Sequence, residues 1–183
     1  MFFLSPLFAL VFASLFSVGS ARPHEKRAEQ FNIYAFGDNI SGLQVYYSDG
    51  AAVIGDSTQS NSTGVLPVYF TVNDATSSSG NTFTAHSESK AKALSDEVLY
   101  ISNDGTDKVG FASSTERSST KLTNVWWLYG RYVMINVEGA TFYAEQTSNG
   151  WYALSWSSAD QSGTKKTLVT LRTIEPSTNS VLA

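Results

Sequence analysis

The feature that most restricts the fold of this chain is the rhythm of its apolar residues. Short runs rich in Val, Ile, Tyr, Phe and Trp recur from residue 31 to residue 174, separated by stretches of Gly, Asn, Asp and Ser. They are FNIYAF (31–36), LQVYY (43–47), AAVI (51–54), VLPVYFTV (65–72), NTFTA (81–85), EVLYIS (97–102), KVGFA (108–112), NVWWLY (124–129), RYVMINV (131–137), TFYAE (141–145), WYALSW (151–156) and TLVTLRTI (167–174). Several alternate with the period of two that puts successive side chains on opposite faces of a strand. Leu43, Val45 and Tyr47 share one face, as do Val68, Phe70 and Val72, while Val133, Ile135 and Val137 point away from Tyr132 and Met134. The best helical candidate, SESKAKALSDE (87–97), has too thin an apolar stripe and reads as a loop with at most one helical turn. The pattern predicts an all-β, antiparallel domain of about 10–12 strands, a jelly-roll-like β-sandwich first, with a β-barrel or a β-trefoil as alternatives. No threefold sequence repeat supports the trefoil, and the Gly-bearing hairpins near residues 50, 105 and 150 are unevenly spaced.

The ends of the chain read as processing signals. Residues 4–18, LSPLFALVFASLFSV, are apolar but too short, and broken by Pro6, to span a bilayer comfortably. Small residues Gly19, Ser20 and Ala21 follow, so residues 1–21 are expected to be a cleaved signal peptide. Residues 22–27 then form a short propeptide ending in the dibasic pair Lys26-Arg27, and 28–183 form a single β domain. The C-terminus, EPSTNSVLA, has no apolar tail of the glycolipid-anchor kind. These readings predict a secreted protein, extracellular or in the cell wall, with no membrane association after processing.

The 156 residues of the mature domain suffice for one sizeable core. That core must stabilise the fold alone, because the chain contains no cysteine and no disulfide can form. The leader holds three of the 12 basic residues and one of the 16 acidic ones, so the mature chain carries nine against fifteen, a formal charge of −6. An acidic chain without a basic stripe is not built for nucleic acid or anionic membranes.

Between the strands, Asp and Asn beside Gly are turn chemistry. Ser48-Asp49-Gly50 joins two apolar runs, and Asp-Gly supplies the left-handed backbone of a tight hairpin. Asn103-Asp104-Gly105 and Ser148-Asn149-Gly150 repeat the device, and Asp38 and Asp56 follow glycines at strand ends. Asn39-Ile40-Ser41 and Asn61-Ser62-Thr63 are N-glycosylation sequons.

The block FNIYAFGDNISGLQVYYSDGAAVIGD (31–56), with WYALSW and the closing VTLRTIEPS, resembles a group of uncharacterised small secreted proteins of filamentous fungi. The resemblance covers most of residues 31–176, its first block being the most specific. It implies secretion and a β fold, and it carries no catalytic residue to transfer.

Reactive side chains are sparse. The mature chain has one histidine, His86, and no GxSxG elbow, so a Ser-His-Asp hydrolase has little to build on. One histidine and no cysteine make an ordinary zinc or copper site unexpected, and NDGTD (103–107) lacks the rest of a calcium loop, so neither metal nor cofactor is expected. Glycoside hydrolysis needs two carboxylates. Glu145, on the strand face of Thr141 and Tyr143, is the weak catalytic candidate, with no nameable partner among Glu138, Asp38, Asp49 and Asp56.

The aromatic residues say more. Adjacent Trp126 and Trp127 must face opposite sides of a regular strand, and Trp151-Tyr152 poses the same problem. Exposed rings grip sugars by apolar stacking with polar groups at the rim. Trp126, Trp127 and Trp151 are therefore the candidate carbohydrate-binding residues. Three readings follow. One is a non-catalytic module of the fungal surface or matrix that binds cell-wall or extracellular polysaccharide. The second is a glycan-active hydrolase with paired carboxylates, and the third a structural or host-interaction protein.

Overall fold

A computed structural model of the chain describes residues 29–58, 64–73, 80–89, 93–94, 97–116, 118–147, 150–159, 161 and 165–177. The signal segment, Lys26-Arg27, the sequon at Asn61 and part of the 87–97 loop lie outside the described residues. Among these residues fourteen strands form: β1 (Gln30–Phe31), β2 (Tyr34–Gly37), β3 (Ile40–Ser48), β4 (Ala51–Gly55), β5 (Val65–Asn73), β6 (Thr82–Ser87), β7 (Glu97–Ser102), β8 (Val109–Ser113), β9 (Lys121–Leu122), β10 (Trp126–Tyr129), β11 (Tyr132–Ile135), β12 (Thr141–Gln146), β13 (Tyr152–Ser157) and β14 (Lys166–Arg172). Among the described residues no helix is long and apolar enough to cross a membrane.

The strands are antiparallel, and they close on themselves. Ten of them run in the order β14-β12-β13-β4-β8-β7-β6-β5-β3-β2, and β2 pairs back to β14. The architecture is thus a closed barrel with additional strands, which fits the barrel alternative and gives no support to the jelly-roll-like sandwich placed first. Closure satisfies the backbone groups that an open sheet would leave on its edges. Periodicity could not distinguish the two, because inward and outward residues alternate in both.

The pairings also repeat three times around the molecule. Three hairpins, β3–β4, β7–β8 and β12–β13, each send their first strand to pair with a later strand as well: β3–β5, β7–β9 and β12–β14. The second strands of the hairpins meet one another. Ala51 of β4 pairs with Gly110 of β8, Val53 and Ile54 of β4 pair with Ala153 and Tyr152 of β13, and a bridge joins Lys108 to Ser155. A second circuit of pairings runs β1–β5, β5–β6, a bridge from Asn81 beside β6 to Trp126 of β10, β10–β11, β11–β14 and β14–β2, and its two ends, β1 and β2, follow one another in the chain.

Turn residues act as their chemistry requires. Asp49 and Gly50 join Ser48 to its partner Ala51, both with positive φ (45° and 81°), the type I′ geometry that matches strand twist. The Gly50 carbonyl accepts a hydrogen bond from Phe111 N at 2.8 Å. That close approach is why Gly110 has no side chain: a Cβ there would lie 2.6 Å from the Gly50 oxygen. Asp56 and Asp104 are turn formers too. The Oδ1 of Asp56 accepts from the backbone N and hydroxyl of Thr58, and that of Asp104 from those of Thr106. These bonds, side chain first, hold both carboxyls below their ordinary pKa.

An aromatic core fills the interior. Trp126 is fully buried, with Phe83 and Phe142 stacked at centroid distances of 5.6 and 6.0 Å. Its indole N–H donates to the Leu99 carbonyl at 2.9 Å, and that of Trp156 to Ser102 O at 3.0 Å. Both buried donors are satisfied, as the low-dielectric interior demands.

A candidate binding surface on the outer face of β10–β11

The β10–β11 hairpin is built by its own sequence. Gly130-Arg131 makes a two-residue turn with positive φ at Gly130 (60°) only, the II′ pattern. A turn of this length fixes the register: Trp126 faces Ile135, Trp127 Met134, Leu128 Val133 and Tyr129 Tyr132. Because directly paired residues share a face, Trp126, Leu128, Val133 and Ile135 go inward, whereas Trp127, Tyr129, Tyr132 and Met134 all go outward. The outward four are 42%, 76%, 43% and 50% exposed, a contiguous apolar patch in which two cross-strand pairs lie side by side.

Neighbouring strands extend this face. Tyr132 pairs with Arg172 of β14, and Arg172 pairs in turn with Tyr34 of β2. The guanidinium of Arg172 sits over two rings, with its central carbon 5.0 Å from the Tyr132 centroid and 5.1 Å from that of Phe36. Thr170, beside Phe36 in register, and the exposed Leu168 complete the outer row of β14. Beyond Tyr34 lies a polar cluster in which Glu88 Oε1 accepts from Asn32 Nδ2 (2.8 Å) and Gln44 Nε2 (3.3 Å). Burial first, then the nearby Glu175 and Glu88 carboxylates, push the Tyr34 hydroxyl above its ordinary pKa.

The three tryptophans proposed from sequence separate. Trp127 is on the patch. Trp126 is in the core, and Trp151 is also buried, its ring 5.1 Å from that of Tyr46 in an edge-on contact and packed over Gly55, whose Cβ would lie 2.4 Å from it. Neither buried ring can stack on a ligand. Sequence reasoning overlooked Tyr129, Tyr132, Met134 and Arg172 as members of one surface. The signal for the first three was present, since a two-residue Gly-Arg turn between alternating runs places them on one face with Trp127.

Glu145 is exposed near the end of β12, and its cross-strand partners are Ala153 and Lys166. His86 is occupied otherwise: its Nε2 lies 2.9 Å from Thr71 Oγ1 and its ring stacks on Tyr69 at 5.0 Å. Among the described residues no group of three or more His, Cys, Asp or Glu side chains could hold a metal ion. Asn39 stands exposed in the turn between β2 and β3, with φ of 58°.

Compared with known proteins, the chain matches no family model, no curated protein and no solved structure.

Proposed function

We propose that this is a secreted, non-catalytic β-trefoil domain that binds carbohydrate of the cell wall or extracellular matrix through the outer face of β10–β11. The trefoil assignment rests on the threefold pairing pattern: three hairpins whose second strands meet, and a six-part circuit ending in β14–β2. Fold class alone does not assign function, so the binding reading rests on the surface. Its supporting observation is the set of four outward side chains, Trp127, Tyr129, Tyr132 and Met134, each at least 42% exposed. Flat rings with polar rims at Arg172, Asn32 and Gln44 suit the alternating apolar and hydroxyl surfaces of sugar rings. An N-linked glycan at Asn39 fits the same secreted setting, since that side chain is exposed in a turn.

The test is depletion of the purified mature protein from solution by a panel of insoluble and gel-embedded polysaccharides, wild type against Trp127→Ser and Tyr129→Ser. Binding by wild type that both variants lose supports the reading. Retention of binding in both variants, or no binding to any polysaccharide, sinks it.

A further inference from the structure

The aromatic patch has a cation built into its border. Arg172 is held from two sides by Phe36 and Tyr132, so its guanidinium plane is positioned before any ligand arrives. Its Nε is buried without a hydrogen-bond partner. The ion pairs among the described residues are Lys121–Glu116 and Lys166–Asp107, and Arg172 belongs to neither. Glu88 and Glu175 influence the neighbouring Tyr34, but neither pairs with Arg172. A second arginine is brought near through the backbone of the hairpin turn. Arg131 is exposed in the hairpin turn between Tyr129 and Tyr132, and its carbonyl accepts from Thr173 N at 2.9 Å, which ties the turn to the residue after Arg172.

We infer that the ligand of this face is an anionic polysaccharide whose sugar rings carry carboxylates, with the rings stacked on Trp127, Tyr129 and Tyr132 and the carboxylates paired with Arg172 and Arg131. This deepens the carbohydrate reading and depends on it. A guanidinium presents a planar fork that matches a carboxylate with two parallel N–H···O bonds. One already held between two rings loses less side-chain freedom on binding than a free surface arginine. The overall negative charge of the chain makes this local pair the determinant. Two arginines on an acidic protein fall short of the cation stripe that a nucleic acid backbone requires.

The experiment is affinity electrophoresis of the mature protein through gels containing polygalacturonate or alginate, each compared with its carboxyl-reduced, neutral counterpart. Retardation by at least one charged polymer is expected, with at least about tenfold weaker binding to the reduced form and weaker binding as salt rises. Arg172→Gln should lose about tenfold in affinity for the charged polymer and Arg131→Gln a smaller factor, each losing less on the neutral one. Equal retardation by charged and reduced polymers overturns the anionic inference and leaves the carbohydrate reading standing. Retardation only by other, neutral polysaccharides of the panel does the same. Failure on every polysaccharide removes both. If sedimentation shows a dimer that Trp127→Ser dissociates, the face joins two copies of the chain and the inference falls. Should Arg172→Gln not fold by circular dichroism, the Arg131→Gln variant and the wild-type comparison of charged with reduced polymer decide.

Discussion

The hairpins β5–β6 and β10–β11 occupy corresponding places in the six-part strand circuit, and their inward faces are alike. Phe70 and Phe83 in one, and Trp126 and Val133 in the other, enter the same core. Their outward faces differ. On β5–β6 the outward row is Tyr69 opposite His86, Thr71 opposite Thr84 and Asn73 opposite Thr82. These residues satisfy one another: Tyr69 stacks on His86, Thr71 hydrogen-bonds His86, and Asn73 Nδ2 donates to Thr84 Oγ1 at 2.8 Å. On β10–β11 the corresponding row is Trp127, Tyr129, Tyr132 and Met134, all exposed. Folding requires the inward residues and is indifferent to the outward ones. A strand pair that could have been finished with Thr and Asn, as β5–β6 is, instead carries large apolar surface into water. That difference separates what the fold needs from what a ligand would need.

The sharpest way to break the comparison is across a single peptide bond. Trp126→Ala removes a fully buried ring, its two stacking partners and a satisfied N–H, and should cost about 3–5 kcal/mol in denaturant unfolding. If Trp126→Ala and Trp127→Ala destabilised equally, the inward–outward division would be wrong. Next comes the turn that sets the register of the outward row. Gly130→Val forces a β-branched residue to a φ of 60°, and should cost about 1–3 kcal/mol and weaken binding together with stability. A full-strength binder with an unchanged melting curve would show that the register does not depend on this turn.

Smaller effects sharpen the contrast. Thr71→Val on β5–β6 leaves His86 without its hydroxyl partner, and a loss of about 1 kcal/mol with binding intact is expected. A loss of polysaccharide binding in that variant would move the site to the wrong hairpin. The smallest stability change belongs to Trp127→Ser, about 1 kcal/mol or less by thermal or chemical unfolding, because the ring lies on the outer face and is 42% exposed. A large destabilisation there would make Trp127 a structural residue.

Local sequence was enough to place most strands. EVLYIS coincides with β7 at Glu97–Ser102, and Asp49-Gly50 makes the predicted hairpin. FNIYAF reads as one strand, yet Asn32 and Ile33 interrupt it, with Ile33 O accepting from Val45 N, so that β1 serves β5 and β2 serves β3 and β14. A segment that changes partners midway carries no local mark of doing so. Lys121–Leu122 of β9 leaves no mark in the sequence, because two residues show no alternation. The opposite fates of Trp126 and Trp127 follow from strand geometry and were legible. The burial of Trp151 was not, since it depends on Tyr46 and Gly55, about a hundred residues earlier. The Arg172 clasp was equally hidden, because its two rings come from β2 and β11, which only closure of the barrel brings to β14.

That closure has a temporal side. β14 pairs with β2, β11 and β12, and it is the last of the described strands to be synthesised. Until it emerges, the second strand of the domain waits with one edge unpaired for a partner more than a hundred residues downstream. Pairings of such sequence separation are slow to find, because a long loop must be ordered before any contact rewards it. Assembly of the barrel therefore waits on this pairing, and a truncated form ending before Lys166 would present three open strand edges to its surroundings.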